Sequence, residues 1–160
     1  MDLSVDGAPR LLVVHHSGTG STRRLCDAAV AGARAASGAA VETRVCPAFD
    51  AGPDDLSWSS GLLMATPARF GYMSGALKDF LERIYHPCLE TSAGLPYGLI
   101  VKGDTDVDGA VESVTRIVAG MRWRRVLAPL TVVGPATPAH LEQATELGAT
   151  LAAGLEAGIF

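Results

Sequence analysis

Short apolar runs alternate with helix-like segments along the whole chain. Residues 11–16 (LLVVHH) have the length and side chains of a strand, and residues 22–37 form a helix rich in small residues, ended near Gly38. Residues 41–46 (VETRVC) read as a second strand. The polar, Pro- and Gly-containing stretch 47–60 leaves room for one short helix. Residues 61–66 (GLLMAT) are a third strand. Residues 74–85 form a helix, with Leu77, Phe80, Leu81 and Ile84 at i, i+3, i+4 and i+7. Residues 97–102 (YGLIVK) are a fourth strand. Ala110, Val114, Ile117, Val118 and Met121 mark the buried stripe of the next helix, and residues 126–133 are the fifth strand. Thr137-Pro138 is a helix start, a capping hydroxyl followed by proline at the first helical position, and that helix runs to about Gly158.

Strand alternating with helix five times predicts a single domain over residues 1–160, with a parallel sheet covered on both faces. LLVV, LLMA and LIV are continuously apolar, as central strands must be. VETRVC alternates, which suits an edge, and Pro129 in the fifth run cannot donate a ladder hydrogen bond. Strands 2 and 5 therefore sit outside, and right-handed crossovers favour the order 2-1-3-4-5. A ligand site then lies at the carboxyl ends of strands 1 and 3, where the winding reverses. Functional residues should follow strands 1, 3 and 4.

After strand 1 comes Ser17-Gly18-Thr19-Gly20-Ser21-Thr22, running straight into a helix. Two glycines allow a tight turn with inward backbone N–H groups, several hydroxyls converge, and the helix N-terminus adds partial positive charge. This makes a cradle for a phosphate dianion that needs no lysine. The bland alternative is an ordinary strand-to-helix turn. GxxxxGK[ST] is absent, and Arg23 stands where a dinucleotide fingerprint has its third glycine.

The pattern Ser17-x-Thr19-Gly20-x-Thr22 resembles the flavodoxin signature, whose loop wraps the phosphate of FMN. After strand 3, Thr66-Pro67-Ala68-Arg69-Phe70-Gly71-Tyr72-Met73-Ser74-Gly75 is similar to the corresponding stretch of flavodoxin-like quinone reductases of the tryptophan-repressor-binding-protein type. The resemblance implies a flavodoxin-like three-layer α/β/α sandwich with a five-stranded sheet. It implies that Ser17, Thr19, Ser21 and Thr22, with the backbone of Gly18 and Gly20, bind the FMN phosphate. By the same resemblance, Pro67, Ala68, Arg69, Phe70, Gly71 and Tyr72 line the edge of the isoalloxazine ring. Arg69 would stand near its N1–C2=O side, or else be a surface arginine paired with a carboxylate. Phe70 and Tyr72 offer apolar walls, or pack within the loop. After strand 4, Lys102, Gly103 and Asp104 are candidates for the third flavin loop, although this loop departs from the reductase pattern. Asp106 or Asp108 can instead cap the following helix.

The implied activity is an FMN-dependent NAD(P)H oxidoreductase acting on quinones or related small-molecule acceptors. Hydride would pass from nicotinamide to flavin N5 and then to the acceptor. The flavin carries the chemistry, so no side chain is assigned as catalytic acid or base. The alternative is a flavodoxin-type electron carrier, and a third possibility is a sandwich that has lost its flavin. A phosphoacceptor receiver would need an aspartate at the end of strand 3, where this chain has Thr66. A low-molecular-weight tyrosine phosphatase would need a cysteine loop after strand 1.

Composition narrows the surroundings. The 160 residues carry a net charge of −4 and 19% charged residues, against a protein built to coat nucleic acid or an anionic membrane. No apolar run reaches the roughly 18 residues of a membrane helix, and MDLSVDGAPR has no signal-peptide core. Cys26, Cys46 and Cys88 lack metal or disulfide spacing, so a reducing cytoplasm is expected. His86 and His140 also lack metal-site spacing, and no metal is expected. Cys88 reads as inert, and one of His15 and His16 either touches the cofactor or donates protons during turnover, or both are packed, hydrogen-bonded histidines. Trp58 and Trp123 read as core or interface residues. Trp123 and Leu127, near the fifth strand, give a weak motive for a homodimer.

Overall fold

The computed structural model describes residues 7–160. The reading of the N-terminal segment as lacking a leader falls largely on residues 1–6, which lie outside the described residues. Strands β1 (Arg10–His15), β2 (Glu42–Pro47), β3 (Gly61–Arg69), β4 (Tyr72–Met73), β5 (Pro96–Gly103), β6 (Arg124–Arg125) and β7 (Leu130–Val133) interleave with five helices. These are α1 (Ser21–Ser37), α2 (Pro53–Trp58), α3 (Gly75–Cys88), α4 (Asp108–Gly120) and α5 (Pro138–Ala157).

The sheet runs β2-β1-β3-β5-β6, with β7 also on β5. This is the expected 2-1-3-4-5 order, but the sheet does not have five unbroken strands. The fifth strand is split in two. Pro96 and Tyr97 pair with Arg124 and Arg125, and Ile100 pairs with Leu130. Gly98 and Leu99 therefore face four residues, Val126, Leu127, Ala128 and Pro129. Val126 still donates to the Tyr97 carbonyl at 3.2 Å. Pro129 has no N–H to offer, so the surplus falls where the ladder is already interrupted.

Alternation on the central strands divides the core. Leu11, Val13, Leu63, Ala65 and Ile100 face α1 and α5, while Leu12, Val14, Leu62, Met64, Leu99 and Val101 face α2, α3 and α4. This gives three layers. A methyl group on Gly32 would overlap the Thr145 carbonyl, and one on Gly148 the Ala29 carbonyl. The small residues of α1 thus serve a backbone-to-backbone contact with α5. The expected caps are present. The Thr137 hydroxyl accepts from His140 N–H at 3.3 Å, and Gly38 and Gly158 end their helices at positive φ.

Trp123 is only 6% exposed. Its indole N–H donates to Ser92 Oγ at 2.8 Å and it packs on Tyr97. It is a core residue, which removes one motive for a dimer. Among the described residues, no helix is long and apolar enough to cross a membrane.

Candidate functional site

The carboxyl end of β1 is fixed from both sides. The His15 carbonyl accepts from Ala48 N–H at 2.8 Å, and His16 N–H donates to the Ala65 carbonyl at 3.0 Å. The chain then turns sharply. Ser17 Oγ accepts from Gly20 N–H at 2.9 Å, and Gly20 stands at φ 94°, which glycine tolerates best. Gly20 caps α1 without a side-chain bond, and the N–H groups of Ser21, Thr22 and Arg23 find no acceptor among the described residues. Thr22 is buried, Ser17 and Ser21 are half-buried, and Gly18 and Thr19 are exposed. A cleft of about 290 Å³ opens here, lined by His15, His16, Ser17, Gly20, Arg23 and Pro47.

The segment after strand 3 is a hairpin rather than the loop the sequence indicated. β3 continues through Pro67 to Arg69 and turns back antiparallel, with Ala68 opposite Met73 and Arg69 opposite Tyr72. The two turn residues, Phe70 at φ 53° and Gly71 at φ 66°, both have the positive φ of a type I′ turn. Thr66 Oγ1 accepts from Ser74 N–H at 3.0 Å, and Ser113 Oγ from Met73 N–H at 3.1 Å, which pins the hairpin base. Phe70 is fully exposed and so provides no loop packing, while Tyr72 is 40% exposed. A Cβ on Gly18 would lie 2.5 Å from Arg69 Nη2. The Arg69 guanidinium therefore reaches back over the first loop, and it forms no ion pair among the described residues.

The third loop is tied to the second. A Cβ on Gly103 would lie 2.9 Å from that of Ala68, so glycine here permits the strand ends to pack closely. Lys102 pairs with Asp104 at 3.0 Å. Asp106 Oδ1 accepts from the N–H groups of Asp108 at 3.0 Å and Gly109 at 3.4 Å, the expected helix-start role.

His15 is buried, as expected, but its Nδ1 has no hydrogen-bond partner among the described residues. Burial, helped by Arg23, lowers its pKa. Burial also pushes the Cys26 thiol up to about 12 and raises Cys46 and Cys88, so none of the three is activated. Sequence reasoning missed Arg23 and Pro47, which line the cleft, and Phe49, 63% exposed and edge-on to His16 at 6.1 Å. Their signal was positional: Arg23 lies in the first turn of α1, and Pro47 and Phe49 follow from β2 ending on the same rim as β1 and β3.

The carboxyl-edge cleft, the helix start and the 2-1-3-5 strand order together define a flavodoxin-like α/β fold. Comparison with solved structures agrees: an archaeal flavodoxin superposes with a TM-score of 0.80 at 16% identity, covering 92% of this chain and 99% of that one. No family model matches the chain. An NAD(P)H dehydrogenase (quinone) of Acidithiobacillus ferrooxidans is 35% identical over a match covering 46% of each protein. A flavodoxin of Aquifex aeolicus is 28% identical, covering 47% of this chain and 40% of that protein. The matches thus span less than half the length of these curated relatives.

Proposed function

We propose that this chain binds FMN at the carboxyl end of the sheet and acts as an NAD(P)H-dependent reductase of quinones or related two-electron acceptors. One observation carries the reading: the Ser17–Thr22 hydroxyl and glycine turn, opening α1 with free N–H groups, meets the Arg69 guanidinium over Gly18. The donor set fits a phosphate monoester, since first-turn N–H groups and an unpaired guanidinium all seek an anion. Ser17, Thr19, Ser21 and Thr22 would hold the phosphate with the backbone of Gly18 and Gly20. Pro67, Ala68, Phe70, Gly71 and Tyr72 would border the ring, and the Lys102–Asp104 pair beside Gly103 would close the third side. Bound there, the flavin would supply hydride acceptance from nicotinamide and delivery of electrons to the quinone. The protein's part is to hold, orient and desolvate. The relative named NAD(P)H dehydrogenase (quinone) supports this donor and acceptor.

The second reading, an electron carrier, is favoured by the relative named flavodoxin. Purified protein should be yellow, release FMN on heating, and oxidise NAD(P)H faster when benzoquinone is added. Colourless protein without FMN affinity refutes the flavin assignment. Yellow protein without NAD(P)H turnover assigns it to the carrier class. A cytoplasmic homodimer belongs to the same reading, with Leu127 and Pro129 at the open sheet edge as its contact. Light scattering at twice the monomer mass supports it, and a monomer mass refutes it.

A further inference from the structure

We propose that His15 couples phosphate binding to proton uptake: its imidazole is neutral in the free protein and becomes a cation that hydrogen-bonds a phosphate group entering the cleft. The ligand's identity rests on the flavin reading; the role of His15 rests on its surroundings. His15 ends β1 with its side chain on the face of Leu11 and Val13, beneath α1. It is 6% exposed, yet it lines the 290 Å³ cleft with Ser17, Gly20 and Arg23. A buried ring nitrogen without a partner destabilises the protein unless something supplies the bond. No group of the described chain does so.

The charged neighbours are few. From α1 come Arg23 and Asp27, paired with each other at 2.8 Å, and from the adjoining loop comes His16. β2 and β3 place Pro47 and Ala65 in register with His15, and neither carries a titratable side chain. Arg23 is engaged by Asp27, and Arg69, which reaches over Gly18, is a cation at every pH of the test, so neither supplies a pH-dependent contact in place of His15. Burial holds the free imidazole below its ordinary value of 6.5. A phosphate dianion beside it acts in the opposite direction. The pKa is thus raised by binding. The added affinity is complete below the free-protein pKa and is lost as pH rises through the bound-state pKa. On binding, one proton moves from solvent to His15.

The test is FMN affinity, read by flavin fluorescence across about pH 5.5 to 9, for wild type and His15→Gln. A phosphate monoester loses its second proton near pH 6, so both proteins gain affinity on that limb. Wild type should then lose roughly 10- to 100-fold towards the alkaline end, the worth of one charge-assisted hydrogen bond, while His15→Gln stays level. Riboflavin, without the phosphate, should show no dependence on His15. Calorimetry in two buffers of different ionisation enthalpy should register proton uptake with FMN by wild type alone. Parallel FMN profiles for the two proteins overturn the inference, as does an equal effect on riboflavin. If FMN fails to bind at every pH, the flavin reading falls. His15 is then decided by NMR titration of its imidazole in the wild-type chain with and without inorganic phosphate. An upward shift supports the inference, and an unmoved titration overturns it. The same NMR measurement serves if His15→Gln does not fold.

Discussion

Phe70 should make this protein less stable than it could be. It occupies the first central position of a type I′ turn at φ 53°, where Asn, Asp and Gly are favoured. The left-handed region costs an ordinary side chain roughly 1–2 kcal/mol. Burial offsets none of this, because the ring is fully exposed. Phe70→Asn keeps a side chain and removes most of the strain, so the flavin-free protein should gain about 1 kcal/mol, which raises Tm by about 2–4 °C in a domain of this size. Urea and thermal melts of the two proteins, run side by side, measure it. A ring retained at such a position, on the rim of the proposed site, fits strain kept for function. The same substitution should therefore slow quinone reduction while it strengthens the fold. Unchanged or reduced stability would refute the strain argument. A gain in stability with full turnover would leave the ring without a role.

Replacing Thr19 and Thr22 with valine should weaken FMN by roughly 3–6 kcal/mol, since each bond to a charged phosphate is worth about 1.5–3, and should spare riboflavin. Equal loss for both ligands, read by fluorescence titration, would refute the phosphate assignment to that loop. Gly148→Val drives a side chain into the Ala29 carbonyl and should cost at least about 1–3 kcal/mol in urea unfolding; a neutral result would mean that α1 and α5 separate easily. The neutral thiol of Cys26 is favoured in the folded state, its pKa raised from 9.0 to about 12. That contribution to stability is complete below 9.0 and lost as pH rises towards 12. Melts of wild type and Cys26→Ala should therefore converge in that alkaline window, and parallel curves would count against the burial argument.

What the sequence made legible was whatever a single strand or cap carries by itself. Continuous apolar runs marked β1, β3 and β5 as central, and alternation in VETRVC marked β2 as an edge. Thr137-Pro138, Gly38 and Gly158 marked helix ends by backbone chemistry. What stayed hidden was pairwise. The two surplus residues of the split fifth strand exist only relative to Gly98 and Leu99 on β5. The hairpin at residues 67–73 was masked because Phe70 violates the turn preference that would have announced it, and Pro67 and Gly71 read as loop. In the site, the Ser17–Thr22 turn was legible because its function is local to the loop. The reach of Arg69 over Gly18, the pairing of Lys102 with Asp104 and the unpartnered nitrogen of His15 all depend on the juxtaposition of elements distant in sequence or on side-chain geometry.

Those three facts change the electrostatic case for a reductase over a carrier. Arg69 and Lys102 are the cations of the two loops that would border the ring. Lys102 is engaged by Asp104, and at 3.0 Å that pair presents little net field to a neighbour. Arg69 stands over the first loop, where a phosphate dianion would take up its attraction first. One unit charge about 4 Å from another is worth on the order of 4 kcal/mol at an effective dielectric near 20, and the interaction weakens with distance. What distinguishes the rim is therefore not a cation aimed at the ring. Asp104 faces Lys102, Asp106 holds the start of α4 and Asp27 holds Arg23, while Asp50 and Asp108 form no ion pair among the described residues. A carrier that docks on basic partners needs exposed acidic groups around its flavin. This rim instead offers Phe70, Tyr72 and Phe49, an apolar border better matched to a small planar acceptor than to a charged protein surface.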